Sequence, residues 1–254
     1  MRVRVWVLGT LLNVAGWAFQ VWALTLASLT FVQPALGVGV LFLLAFAWLV
    51  FGSRPTLRDV LSASALAAGI ALLTRAAPPP QTGTARARTW VAVAVVLAAV
   101  ALAPLALRAT KRILGPLWLA ASVGFAFALT GLSSEVTSRG LQTHRPAVLA
   151  GGAAATAVFG AIGFLTETSA LVSASVTAVV PVIVVVDTVL PISLAPFLFD
   201  ERWPRSPARV AALAAGIVLS VGGAASLAAS PRITSLRSPA DEKRLATRSD
   251  RTDP

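Results

Sequence analysis

The sequence predicts an all-α integral membrane protein of about eight transmembrane helices, and three observations carry that prediction. Apolar residues make up 57% of the 254 residues and charged ones only 12%, about half the charged share of a soluble domain. Mean hydropathy is correspondingly positive, at +0.82. The apolar residues are gathered into long runs separated by polar, turn-rich breaks, and a helix needs about 20 such residues to cross a bilayer. The runs lack the ten-residue alternation of outer-membrane strands. Each is therefore read as a helix that satisfies its own backbone hydrogen bonds in lipid.

In chain order the runs are Val5–Leu26, Phe31–Phe51, Val60–Leu73, Trp90–Leu107, Ile113–Leu132, Ala147–Thr166, Ser175–Phe199 and Val210–Ala229. The first follows Arg2 and Arg4 but is too long for the core of a cleaved leader, so it is read as a retained helix. The third is short, with Arg58 and Arg75 placed to snorkel from its ends. Breaks follow the second run at Gly52–Asp59, the third at Ala77–Gly83 and the seventh at Glu201–Pro207, all rich in Pro, Gly or charge. Residues 230–254 lack apolar periodicity and are read as a disordered basic tail.

The net charge of +11 is spread over short loops and the tail. Nucleic-acid binding asks for a clustered basic face with interleaved aromatics, so that function class is excluded. Basic residues flanking spans set topology instead. With eight spans both termini share a side, which carries 13 basic residues against 8 opposite. The expected location is the cell's inner membrane, multi-pass, with both termini cytoplasmic. The chain has no cysteine and a single histidine, His144, so no thiolate or imidazole-rich metal site is expected, and no cofactor.

A shift of 147 positions aligns the chain with itself. Gly16 falls on Gly163, Ala23-Leu24 on Ala170-Leu171, Thr30 on Thr177 and Pro34 on Pro181. Ala65-Leu-Ala-Ala-Gly-Ile70 matches Ala212-Leu-Ala-Ala-Gly-Ile217 letter for letter. The first three spans thus recur as the last three, with two spans preceding the second copy. A complete unit has five spans, and an odd number inverts successive units in the membrane, an arrangement typical of transporters with a site at the repeat interface. The fold expected is two inverted five-helix repeats, the first incomplete: residues 1–78 as a partial repeat of three helices, 79–89 as a loop, 90–229 as a full repeat and 230–254 as the tail.

The pattern Gly16…Ala23-Leu24…Pro34, repeated as Gly163…Ala170-Leu171…Pro181 and followed by Phe199-Asp-Glu201, resembles the EamA-type drug/metabolite transporter superfamily. The glycine-bearing helices Ala65–Ile70 and Ala212–Ile217 fit the same pattern. The resemblance covers residues 5 to 229. It implies ten helices, cytoplasmic termini and secondary transport of metabolites or drugs, one related branch being associated with magnesium. The chain departs from the pattern in lacking the opening two helices of the first repeat and in placing Gly52 where its acidic residue would stand. A truncated sequence is favoured over a genuine eight-helix variant, because an unmatched half-bundle exposes packing faces to lipid.

Ionisable groups inside spans are costly and mark candidate sites. Asp187 lies deepest, in the middle of the seventh run, with Pro191 four residues on. Proline leaves the carbonyl four residues back without its donor, so Pro191 frees the Asp187 carbonyl, and Pro34 and Pro181 free those of Thr30 and Thr177 while kinking their helices. Such carbonyls beside a carboxylate suit a cation or a substrate amine; the alternative is a protonated Asp bonded to a neighbouring helix. Glu167 shares a stripe with Gly160 and Gly163, and Asn13, Gly16 and Gln20 form the matching stripe. Against a binding role, Glu167 lies near a helix end where such groups snorkel. Glu135 is a weaker candidate at the end of the fifth run, and Asp200 and Glu201 are expected to terminate the seventh helix. Small residues at fourth positions, including Gly69 and Gly216, point to tight helix packing, within the chain or in a homodimer. Metalloprotease, nucleophile-elbow and nucleotide-loop motifs are absent from the sequence, which argues against an enzyme or a primary pump. The expected partners are the lipid bilayer and a small-molecule or ion substrate moved by alternating access. The alternative is a non-transporting subunit or remnant that packs with a partner.

Overall fold

A computed structural model describes residues 2–51, 55–79, 87–109, 116–173 and 176–229. The tail expected at 230–254 lies outside the described residues, as do most of the break at 79–89 and Gly52. Described residues form α1 (Arg2–Leu26), α2 (Leu29–Leu36), α3 (Val38–Phe51), α4 (Leu57–Ala76), α5 (Ala87–Ala109), α6 (Pro116–Gln142), α7 (Pro146–Ser173), α8 (Val176–Phe199) and α9 (Pro207–Ala228). No strand occurs among them. Six of the helices, α1, α4, α6, α7, α8 and α9, are long and apolar enough to cross a membrane.

The second apolar run is broken at Gly37 into α2 and α3. Pro34 cannot donate to the Thr30 carbonyl, and the Gly37 amide then tightens to the Pro34 carbonyl at 3.0 Å. A side chain at Gly37 would meet Ala224 and Leu66, so the glycine lets the break sit against α4 and α9. The equivalent proline in the second copy, Pro181, lies inside an uninterrupted α8. There Val184 and Val186 occupy the places of Gly37 and Gly39, and no glycine lies beside the proline to loosen the turn.

Helix α6 is the centre of the bundle: 72% of its apolar window is buried, against 12% to 39% for the other five candidate spans. Its partner α7 runs antiparallel, with Gly140 against the Leu149 backbone, Gly152 against Thr137 and Gly163 against the Phe127 ring. The turn between them closes with two hydrogen bonds, Arg145 N–H to the Gly140 carbonyl at 3.0 Å and His144 N–H to the Leu141 carbonyl at 3.3 Å. His144 takes the left-handed conformation this motif needs, at φ 51°. Leu129 and Leu132 of α6 join Leu24, Leu29, Val32, Leu97, Leu198 and Phe199 in the main apolar cluster.

Helices α4 and α9 form a second antiparallel pair. Ser62 bonds Ser226 at 2.8 Å, Gly223 abuts Leu66, and Gly69 abuts both Gly216 and Ser220. Helix α4 starts at a capping box, in which the Asp59 amide donates to Thr56 Oγ1 at 3.2 Å and the Thr56 amide to Asp59 Oδ2 at 2.8 Å.

Candidate functional site

A polar seam runs along one face of α6 inside the bundle. Residues at positions 131, 135, 138, 139 and 142 fall within a narrow arc at 100° per residue, and Gly131, Glu135, Ser138 and Arg139 are all buried. Three of the hydroxyls along this run turn back onto the chain and so ease its burial. Ser134 donates to the Thr130 carbonyl at 2.8 Å, Thr137 to Ser133 at 2.8 Å and Thr143 to Arg139 at 2.6 Å. Glycines 140 and 152 bring α7 close enough to seal the same end from water.

Arg139 is the hub. Its Nε donates to Glu135 Oε1 at 2.7 Å, one helical turn away, and its Nη2 donates to the Phe199 carbonyl at 3.2 Å. The guanidinium carbon also lies 4.8 Å from the centre of the Phe199 ring, within cation–π range. Both partners of the ion pair are buried, at 3% and 5% side-chain exposure. Removing one member of such a pair strands the other, which is why these pairs are costly to break.

Beyond Phe199 the chain turns at Asp200, at φ 53°, and carries Glu201 back over the start of α2. Glu201 Oε1 accepts from the Leu29 amide at 2.8 Å, and Oε2 accepts from the Thr30 hydroxyl at 2.5 Å. Ser28, the residue at the cap position of α2, makes no side-chain cap bond; a carboxylate from far along the chain does that work. The positive end of the helix favours the anion. Burial pushes the Glu201 carboxyl above its usual range, while the Thr30 and Leu29 bonds and the Arg139 charge pull it back.

Neighbouring polar groups extend the seam. Gln142 Nε2 donates to the Thr25 carbonyl at 3.0 Å, and Trp17 Nε1 donates to Ser134 Oγ at 3.1 Å. Gln33 of α2 lies against Gly131. Several buried atoms have no hydrogen-bond partner among the described residues: Glu135 Oε2, Gln142 Oε1, Gln33 Nε2 and the hydroxyls of Ser28, Ser133 and Ser138.

Of the residues singled out in the sequence, Thr30 joins this seam. Asp187 is half-buried on α8, twelve residues before Phe199 and so about 18 Å away along the axis. Glu167 is half-buried toward the other end of α7, and Gln20 is half-buried on α1. Asn13 and Gly16 are exposed on α1, with open space beside Gly16. The Thr177 side chain lies outside the described residues. Pro34 and Pro191 are buried and Pro181 half-buried; Gly163 packs on Phe127, and Gly69 and Gly216 on each other. Sequence reasoning passed over Arg139, ranked Glu135 low and assigned Glu201 to the end of its own helix. Glu201 instead caps α2. The available signal was the Glu135–Arg139 spacing, which puts opposite charges one turn apart. An apolar groove of about 390 Å³ between α5 and α7, lined by residues such as Trp90, Ala94 and Val158, holds no titratable group and is separate from the seam.

The fold and the seam define a class: an all-helical chain with six helices fit to cross a membrane, consistent with a multi-pass membrane protein, with an ion pair buried among them. Comparison with protein-family models, with curated proteins and with solved structures finds no match for the chain.

Proposed function

We propose that the protein is a secondary transporter that moves a small solute (a metabolite, drug or cation) by alternating access between two inverted repeats. The observation that carries this reading is the Glu135–Arg139–Glu201 seam, which ties α2 of the first sequence copy to α6 and the end of α8 of the second. Buried charges at the junction of two halves are a default functional signal in membrane proteins. Support for the inverted pairing comes from α4 and α9. Gly69 and Gly216 are equivalent at the 147-residue offset, as are Leu73 and Ser220. Gly69 meets Ser220 while Gly216 meets Leu73, so the antiparallel contact is reciprocal, as a two-fold axis in the membrane plane requires. The basic residues support cytoplasmic termini in the inner membrane. On this reading eight spans cross the membrane, α2 and α3 together making one.

The test is flux by the purified chain in liposomes, with amines, amino acids, drugs and Mg²⁺ as probes, with and without a pH gradient. Uptake of any probe that is lost on Arg139→Gln supports the reading. No uptake of any probe by folded protein rejects it. A second reading, a subunit that packs with a partner, draws on α1, where Asn13 is exposed among Leu11, Leu12 and Val14. A polar side chain on a lipid-facing surface seeks a helix partner. Cysteine cross-linking at position 13 in native membranes tests it.

A further inference from the structure

Two carboxylates face one guanidinium in the seam, and the charge does not balance. Arg139 acts electrostatically on both Glu135 and Glu201. With every group ionised, the buried set carries a net charge of −1. Among the described residues the other elements packed there offer no buried cation to cancel it: α2 contributes Thr30 and Gln33, the described side chains of α1 and α5 near the seam are uncharged, and α4 and α9, which pack on α2, carry Arg75 and Arg209, both exposed. On α7 the ionisable group is Glu167, toward the other end of that helix, and on α8 it is Asp187, twelve residues before Phe199 and about 18 Å away along the axis. His144, Arg145, Asp200 and Arg202 flank the seam but are exposed to solvent. An uncompensated buried charge is neutralised or paired.

The hydrogen bonds point the same way. Glu135 Oε1 is bound by Arg139, but Glu135 Oε2 is buried with no donor among the described residues, and so is Gln142 Oε1 two turns along α6. An ionised carboxylate would leave Oε2 bare at a buried position. A metal cation is a poor fit beside the fixed guanidinium. A single proton supplies the missing charge and gives one of the carboxyls a donor.

We propose that Glu135 and Glu201 share one exchangeable proton across Arg139, making the seam a proton-binding site read out by the N-terminus of α2. When the proton is on Glu135, Glu201 is an anion and clamps the Leu29 amide and Thr30 hydroxyl. When it moves to Glu201, the clamp loses its charge, and Glu135 holds Arg139 alone. The site is independent of whether the chain moves a solute, so its failure and that of the transport reading are separately visible.

Infrared spectroscopy of the full chain in lipid tests this through the carbonyl band of protonated carboxyls. The wild type is expected to show, at neutral pH, a band from one shared carboxyl that is lost on alkalinisation. Glu135→Gln and Glu201→Gln should each abolish it, because the remaining carboxylate is matched by Arg139. Arg139→Gln should double it. Any contribution from Asp187 stays constant across the set. A band lost in one Glu variant and kept in the other assigns the proton to a single carboxyl and overturns the sharing. A wild type with no protonated carboxyl beyond that of Asp187, identified with Asp187→Asn, overturns the site outright, and so does a midpoint that follows Na⁺ concentration at fixed pH. Should one variant fail to fold, the other and the wild-type titration decide. Deuterium exchange supplies a second readout: Glu201→Gln should speed exchange at the Leu29–Thr30 amides, and unchanged protection there removes the link to α2.

Discussion

Gly69→Ala tests the α4–α9 contact with the smallest possible change. A Cβ at this position would lie 2.8 Å from the Gly216 carbonyl oxygen and 2.9 Å from the Ser220 Cα, and closer still to the Ser220 amide nitrogen. All three are backbone atoms, so no side chain can swing away. Bringing the carbonyl oxygen to the 3.4 Å edge of ordinary contact means parting the helices by 3.4 − 2.8 = 0.6 Å at that point. A gap of that size forfeits roughly a quarter to a half of each dispersion contact it opens, and overpacking of this kind costs about 1–3 kcal/mol. Alanine returns about 1 kcal/mol through helix propensity, leaving a net loss of about 0–2 kcal/mol. Gly222 on the same α9 has open space beside it, so Gly222→Ala keeps the propensity gain and should be neutral or stabilising by up to about 1 kcal/mol. Unfolding by denaturant in mixed micelles, followed by far-UV circular dichroism, gives both numbers on one scale. If Gly69→Ala is as stable as Gly222→Ala, the close approach of α4 and α9 is refuted.

Other expectations follow from the same geometry. Arg139→Met should destabilise by about 3–5 kcal/mol by stranding Glu135, whereas Trp17→Phe, which removes one hydrogen bond to Ser134, should cost about 1 kcal/mol; both are read in the same unfolding assay. Thr56→Ala should cost about 1 kcal/mol through loss of the capping box at the start of α4. Because burial raises the Glu201 carboxyl in the folded state, its contribution is fully present below the unfolded carboxylate value and declines as pH rises through the raised one. The thermal midpoint should therefore fall over that window on the alkaline side, and Glu201→Gln should flatten the decline.

The sequence made the helical class legible because span length and polarity are local properties. Described helices cover most of each of the eight apolar runs, the second divided between α2 and α3, while residues 113–115 and 175 lie outside the described residues; six of the helices are long and apolar enough to cross a membrane. The small-residue repeats Ala65–Gly69 and Gly216–Ser220 pointed to close packing, and they lie at the α4–α9 contact. The seam was harder to read for a specific reason. Apolar-run reading ends the fifth span at Leu132, where Ser133 and Ser134 begin a polar stretch, yet α6 continues to Gln142. The lost ten residues are those that carry Glu135 and Arg139. Their burial depends on Gly140 and Gly152 bringing α7 close, and on intrahelical hydroxyl bonds, neither of which a hydropathy window registers. Glu201 depends on contacts with Leu29 and Thr30, about 170 residues away, and no local pattern encodes those.

The two sequence copies differ in their charges, and on the inverted-repeat reading this asymmetry gives a final prediction. At the 147-residue offset Thr30 corresponds to Thr177, and Glu201 to Arg54. Glu201 Oε2 accepts from the Thr30 hydroxyl, a role for which Arg54 is chemically unsuited, being donor-only and carrying a charge that a helix N-terminus repels. Thr30→Val keeps the shape and removes the donor to a charged acceptor, which should cost about 1.5–3 kcal/mol and, on the transport reading, weaken the tie between the halves. Thr177→Val makes the same chemical change at the equivalent position and, with arginine in place of the acceptor carboxylate there, should cost less than Thr30→Val. Equal losses in the two variants would mean that Thr30 is held by packing alone. An unequal loss assigns the difference to Glu201, and adding Glu201→Gln should then erase most of it, since two residues in one hydrogen bond are not additive.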